Sequence, residues 1–183
     1  MCACVVGLCV AHVLCIDIVK PQIKYLKPNP RFCNVLLYCP QKCEVDINYV
    51  TKNLLKNKKY QIFVPKIQKI SFDIVKYRLP LLKNRFNIKE PKSSKIYKNK
   101  LINIAIVPAL GVDKEMKRIG FGKGMYDRFF ETLKVKPYSI FVSRREMIAD
   151  KILSDSHDIK ADRYIAAKKY TIKKASKIGN KHE

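Results

Sequence analysis

Glycine is scarce in this 183-residue chain, which has only six. Four of them, Gly111, Gly120, Gly122 and Gly124, fall in one stretch. That stretch lies between an apolar run, Ile102 to Val107, and a helical pattern in which Tyr126, Phe129, Phe130 and Leu133 share a face. The backbone must therefore leave a buried strand, pass through conformations that glycine alone accepts freely, and enter a helix. Strand, turn and helix in that order build parallel sheets covered by helices. The rest of the chain repeats the theme. Asn34 to Tyr38 reads as a buried strand ended by Pro40, and Asp46 as the N-cap of a helix burying Ile47, Val50 and Leu54. Gln61 to Val64 is a strand closed by Pro65, and Ile70 to Tyr77 a more exposed one. The basic stretch from Leu79 to Lys100 is a long connection bordering a site. Tyr138 to Val142 is a strand, and Ser143-Arg144-Arg145-Glu146 a capping box opening a helix with Met147, Ile148 and Ile152 inward. A short strand around Tyr164 to Ala166 closes the order, and the tail from Lys168 is expected to fray. No internal repeat is visible. The pattern predicts an α/β fold: a three-layer α/β/α, Rossmann-like single domain with a mostly parallel sheet.

The glycine stretch is also chemically marked. It carries Lys123, with Arg118 and Arg128 on either side. A glycine-rich loop with a lysine, opening onto a helix, suits an anion, above all phosphate. It is not a Walker A loop, because Gly124 follows Lys123, and the G-x-G-x-G spacing is not the dinucleotide fingerprint. The plainer reading is a surface turn before a helix. The order Lys123, Tyr126, Asp127, Arg128 favours the phosphate site.

A net charge of +23 favours anionic partners: nucleic acid, an acidic membrane surface, nucleotides or polycarboxylates. A lysine-biased composition on a solvated surface accounts for most of it, since the lysines are scattered. All seven cysteines lie in the first 43 residues, and no pair has C-x-x-C spacing. The odd count and uneven placement argue against a disulfide framework and for a reducing cytoplasm. Met1 to Ile18 is nearly continuous apolar sequence, too short for a membrane span and without the basic start of a signal peptide. A buried strand or helix, or a shifted start of the reading frame, remain as readings of it.

Gly111-Val112-Asp113 followed by Arg118-Ile119-Gly120-Phe121-Gly122-Lys123-Gly124-Met125-Tyr126-Asp127-Arg128 resembles the signature of the 5-formyltetrahydrofolate cyclo-ligase family. Phe86-Asn87-Ile88-Lys89-Glu90-Pro91 resembles a second segment of that family. The likeness runs from about Asn34 to Ala167 and is lost before about Phe32, dividing the chain into a divergent segment 1–31, an α/β domain 32–167 and a lysine-rich tail 168–183. The family's N-terminal basic helix is not reproduced by Lys20, Lys24 and Lys27, among which Pro21, Pro28 and Pro30 oppose a helix.

The resemblance implies ATP- and Mg²⁺-dependent conversion of 5-formyltetrahydrofolate, free or polyglutamylated, to 5,10-methenyltetrahydrofolate in a cytoplasmic, monomeric enzyme with no membrane partner. It implies Lys123 and Arg118 as catalytic charges. ATP would be held by Arg118, Ile119, Gly120, Phe121, Gly122, Lys123, Gly124, Met125, Tyr126 and Arg128. The folate would meet Cys39, Glu44, Phe121, Gly122, Lys123, Gly124 and Met125. Asp127 and Asp158 would hold the metal. Plainer readings stand beside these: a carboxylate at a helix start for Asp127, a loop aspartate for Asp158 with Asp155 and Asp162 as rivals, and a solvent-facing side chain for Glu44. Two other functions remain open from sequence: a basic nucleic-acid-binding protein, and a family member inactivated by its altered N-terminus.

Overall fold

The computed structural model describes residues 32–92, 94–98, 101–153, 158–166 and, as backbone, 172–174. The readings made on segment 1–31 and on Asp155 lie outside these residues. A seven-stranded sheet forms the centre, in the order β11-β10-β9-β6-β1-β2-β3. Its strands are β1 (Cys33–Leu36), β2 (Tyr60–Ile67), β3 (Phe72–Lys76), β6 (Ile104–Pro108), β9 (Tyr138–Ser143), β10 (Arg163–Ala166) and β11 (Ile172–Lys174). The run from β10 through β9, β6 and β1 to β2 is parallel, and β3 and β11 add antiparallel edges. Two small hairpins stand apart, β4 (Leu81–Lys83) with β5 (Lys89–Pro91) and β7 (Gly111–Val112) with β8 (Arg118–Ile119).

Parallel strands are buried on both faces, and every residue of β6 is buried. Alternation assigns the two sides. Val35, Ile62, Ile104, Ile140 and Ile165 point one way and meet Val50 and Leu54 of α1 (Asn48–Leu55). Leu36, Phe63, Ala105, Phe141 and Tyr164 point the other way and meet Phe129 and Phe130 of α2 (Met125–Glu131). Helices thus cover both faces, and the expected three layers are present.

Four local expectations are corrected. Pro65 does not close β2, which runs on to Ile67. β1 ends opposite Phe63, and Pro65 faces Ile74 of β3 in a pair that exchanges no ladder hydrogen bonds, so its missing N–H is not needed. Asp46 does not cap α1 directly. Its carboxylate accepts the Asn48 N–H at 2.8 Å, in a turn that leads into the helix, and Ile47 is the cap residue. Residues 144–153 form no helix after Ser143. Its hydroxyl is buried, donates to Arg145 O at 2.6 Å and lies 2.7 Å from the Tyr164 hydroxyl, so it cannot cap, and Met147 and Ile152 are exposed. Finally, the lysine-rich tail contributes β11, which pairs with β10.

Candidate active site

The glycine stretch lies beyond the C-terminal end of β6, at the edge where open α/β sheets bind ligands. Asp113, fully buried, accepts the Glu115 and Lys117 N–H groups at 2.9 Å and so fixes the turn between β7 and β8. Arg118 at the start of β8 is then pinned. Its Nε donates to Pro108 O at 3.1 Å, its guanidinium lies 5.0 Å from the Tyr126 ring centre, and one terminal nitrogen is 3.5 Å from Asp127 Oδ2. Gly120 lets this group lie against the backbone, because a Cβ there would sit 2.5 Å from the Arg118 nitrogen. Gly122 (φ +76°) and Gly124 (φ +55°) occupy left-handed conformations that turn the chain into α2.

Arg128 faces the other way. It donates to Ile70 O at 2.7 Å and also to Lys123 O, tying the turn between β2 and β3 to the glycine loop. Beneath the loop, Tyr126 meets Phe72 edge-on at 5.0 Å and Phe129 stacks on Phe72 at 4.4 Å. Burial pushes the Tyr126 phenol well up, the Glu44 charge adds to this and Arg118 opposes it. Tyr126 therefore stays protonated and packs rather than acting as a base.

A cleft of about 270 Å³ opens between this loop and the chain that follows β1. Arg118, Phe121, Lys123, Gly124, Met125 and Tyr126 form one wall, and Cys39 and Glu44 face it. Ile119, Gly120, Gly122, Asp127, Arg128 and Asp158 are not part of its lining. Pro65, Ile67, Phe72 and Pro108 give the cleft an apolar floor that sequence reasoning did not assign, and Ile88 and Lys89, from the connection expected to border a site, line its side. Pro108 carried a signal, as the residue that ends β6. Phe72 carried none, because it reaches the site from an antiparallel edge strand.

Glu44 is half-buried and accepts the Gln41 N–H at 2.9 Å. Burial raises its carboxyl above the usual 4.5, with the Gln41 hydrogen bond and the Arg118 charge opposing. The folded protein then holds this proton more tightly than the unfolded chain, so the stability it contributes is lost as pH rises from 4.5 through the raised folded value, and is level above it. Glu44→Gln keeps the acceptor and removes the charge. We expect it to unfold at higher urea than the parent at neutral pH, with the difference closing below about pH 4, under the ordinary glutamate range. Parallel urea midpoints for the two proteins from pH 4 to 8 would contradict this. Burial, aided by Glu90, also pushes the Cys39 thiol up to about 11.

Asp127 lies in the first turn of α2, directly after the loop. Its contacts are long: Arg118 at 3.5 Å and the Ile159 N–H at 3.4 Å. Both oxygens thus keep lone pairs free for a cation, and the Ile159 contact brings the backbone beside Asp158 close to it. Asp162 is engaged elsewhere, accepting the Ser139 N–H at 2.7 Å near the N-terminal end of β9. Among the described residues, no group of three or more His, Cys, Asp or Glu is gathered as a metal cage. Mg²⁺ does not require one, since it binds through one or two carboxylates with phosphate oxygens and water.

The profile of the 5-formyltetrahydrofolate cyclo-ligase family matches residues 25–166. The chain belongs to this family. The match begins at residue 25, ahead of Phe32, before which the sequence alone showed no likeness. The mouse 5-formyltetrahydrofolate cyclo-ligase is 29% identical over 143 residues, 70% of each chain. The cyclo-ligase of Mycoplasma pneumoniae is 27% identical over 140 residues, 76% of each. Among solved structures, the Aquifex aeolicus 5,10-methenyltetrahydrofolate synthetase has a TM-score of 0.65 at 25% identity, covering 100% of this chain and 97% of that one. A Mycoplasma pneumoniae 5,10-methenyltetrahydrofolate synthetase shares the fold, with a TM-score of 0.57 at 19% identity over 90% of this chain and 98% of that one. Among the described residues of this cyclo-ligase family member, no helix is long and apolar enough to cross a membrane.

Proposed function

We propose that this protein closes the ring of 5-formyltetrahydrofolate to 5,10-methenyltetrahydrofolate, consuming ATP and releasing ADP and phosphate. The observation that carries the reading is the cleft itself. The glycine–lysine loop forms one wall, and Cys39 and Glu44, the positions matched to the family's folate contacts, form the other. A formamide oxygen leaves poorly as it stands. Transfer of the γ-phosphoryl group onto it makes it a good leaving group. N10 then attacks the activated carbon, and phosphate departs with that oxygen.

Phosphoryl transfer needs alignment and charge neutralisation more than covalent help from the protein. Lys123, exposed on the loop, brings an ammonium to the phosphate being transferred. The N–H groups of Gly120, Gly122 and Gly124, with Ile119 beside them, cradle the phosphates. Arg118 balances their charge from its fixed seat. Arg128 contributes by holding the loop through Lys123 O. Asp127, with Asp158 beside it, would hold Mg²⁺, which neutralises phosphate charge when bound. The folate lies over the apolar floor, against Phe121, Met125, Cys39 and Glu44, and its glutamate tail, single or extended, runs outward among lysines. The same reading makes the protein a monomeric cytoplasmic enzyme.

The test is direct. Purified protein with 5-formyltetrahydrofolate, ATP and Mg²⁺ should develop the absorbance of methenyltetrahydrofolate, and omission of ATP or Mg²⁺ should abolish it. No product from the folded protein would remove the activity and leave the family assignment standing.

A further inference from the structure

The hairpin of β4 and β5 forms part of the cleft wall, through Ile88 and Lys89, yet it lies outside the main sheet. A short polar relay ties it to the sheet. The Glu90 carboxylate oxygen Oε1 accepts the Ile67 N–H at the end of β2 at 2.7 Å and the Asn84 amide at 2.8 Å. The Asn84 carbonyl oxygen accepts the Phe86 N–H at 2.9 Å and the Ile88 N–H at 3.1 Å. Main-chain bonds complete the tip: Asn84 N–H to Ile88 O and Asn87 N–H to Asn84 O, both 2.9 Å. Asn87 takes a left-handed φ of 61°, so Arg85, Phe86 and Asn87 form a three-residue turn of the kind that ends in a left-handed residue. Asn84 thus fixes the tip, and Glu90 fixes Asn84 to the sheet.

At that tip the exposed Phe86 ring meets Lys123, whose Nζ lies 5.8 Å from the ring centre, while the Arg85 guanidinium lies 4.8 Å from the same ring. The hairpin and the glycine loop therefore approach each other across the mouth of the cleft. The Glu90 carboxylate ties this arm to β2 at Ile67.

We infer that Glu90 and Asn84 are positioning residues that hold the hairpin as the folate-side wall of the cleft. Neither reaches the reacting atoms. They act on where Ile88, Lys89 and Phe86 stand. This rests on the cyclo-ligase reading for its kinetic consequence, but not for its structural one.

The consequence is a split between the two substrates. Loss of the relay loosens the wall against the folate and leaves the phosphate loop seated by Asp113, Arg118 and Arg128. Glu90→Ala and Asn84→Ala should each raise KM for 5-formyltetrahydrofolate about 5- to 30-fold, the factor expected for one or two kcal/mol of lost contact. KM for ATP should stay within about twofold. Glu90→Gln should behave nearly as the parent, because an amide oxygen has two lone pairs and can accept both donors. Amide hydrogen exchange in the ligand-free protein supplies an independent reading. The Phe86 and Ile88 N–H groups should exchange faster in Glu90→Ala and Asn84→Ala, and the amides of β6 and β9 should not.

An unchanged folate KM in both alanine variants, or equal rises for folate and ATP, would overturn the inference. So would a Glu90→Gln variant as impaired as Glu90→Ala, since the carboxylate charge and not its hydrogen bonds would then matter. If the parent protein makes no product, the cyclo-ligase reading fails, and exchange at Phe86 and Ile88 still decides whether the relay holds the arm.

Discussion

Lys123→Ala should slow turnover by about 10²- to 10³-fold, the loss typical of removing one preorganised charge stabiliser, while leaving the fold intact. The side chain is exposed, and its described contact is the Phe86 ring. Surface substitutions of that kind usually move stability by no more than about 0.5 kcal/mol. The two readouts therefore separate. Single-turnover formation of methenyltetrahydrofolate should collapse, and the urea midpoint should stay where it is. Parent-like turnover in this variant would refute the role given to the lysine. An equal fall in stability would mean that the side chain holds the loop together instead of acting on phosphate.

Gly120→Ala should be nearly as damaging, for a different reason. The added methyl would sit 2.5 Å from one Arg118 nitrogen and 2.7 Å from its central carbon. An arginine tip could normally swing away. This one is held by Pro108 O, the Tyr126 ring and Asp127, so relief requires breaking those contacts together. Displacing a positioned charge by about 1 Å can cost about 10²-fold in rate, and we expect a loss of that order. Gly122→Ala is the comparison. No atom lies within 4 Å of its new methyl, but φ there is +76°. It should lose about 1–2 kcal/mol of stability to the left-handed backbone and spare Arg118. Equal rates for Gly120→Ala and the parent would show that Arg118 can leave its seat without harm.

Those two glycines explain why this region was legible in sequence. A chain with six glycines does not crowd four together by chance, and the backbone angles and close approach that require them are present at Gly120, Gly122 and Gly124. β1, β6 and β9 were legible for the same kind of reason. Both of their faces are buried, and they read as largely apolar runs. What failed to show depended on distant partners. Ser143 and Glu146 spell a capping box, but the serine hydroxyl is taken by Tyr164, twenty-one positions along the chain. Pro65 reads as a strand end unless one knows that β1 has already stopped beside it. The hairpin of β4 and β5 reads as a basic connection, because its order comes from Asn84 and Glu90 side chains and not from apolar alternation. In the candidate site, Arg118, Phe121, Lys123, Gly124, Met125 and Tyr126 were named from the motif and Cys39 and Glu44 from the family resemblance, whereas Tyr38, Gln41, Cys43 and Lys89 were not named as site residues. Nor was the apolar floor, since Phe72 and Ile67 arrive from strands whose pairing no local pattern announces.

The last strand has a practical corollary. A gene cut after residue 167, at the apparent boundary of the catalytic body, would delete β11 and leave one flank of β10 with its amide and carbonyl row unsatisfied. Bare flanks of that kind recruit other chains. Shortened protein should therefore precipitate or associate on concentration where the 183-residue chain does not, as light scattering would register.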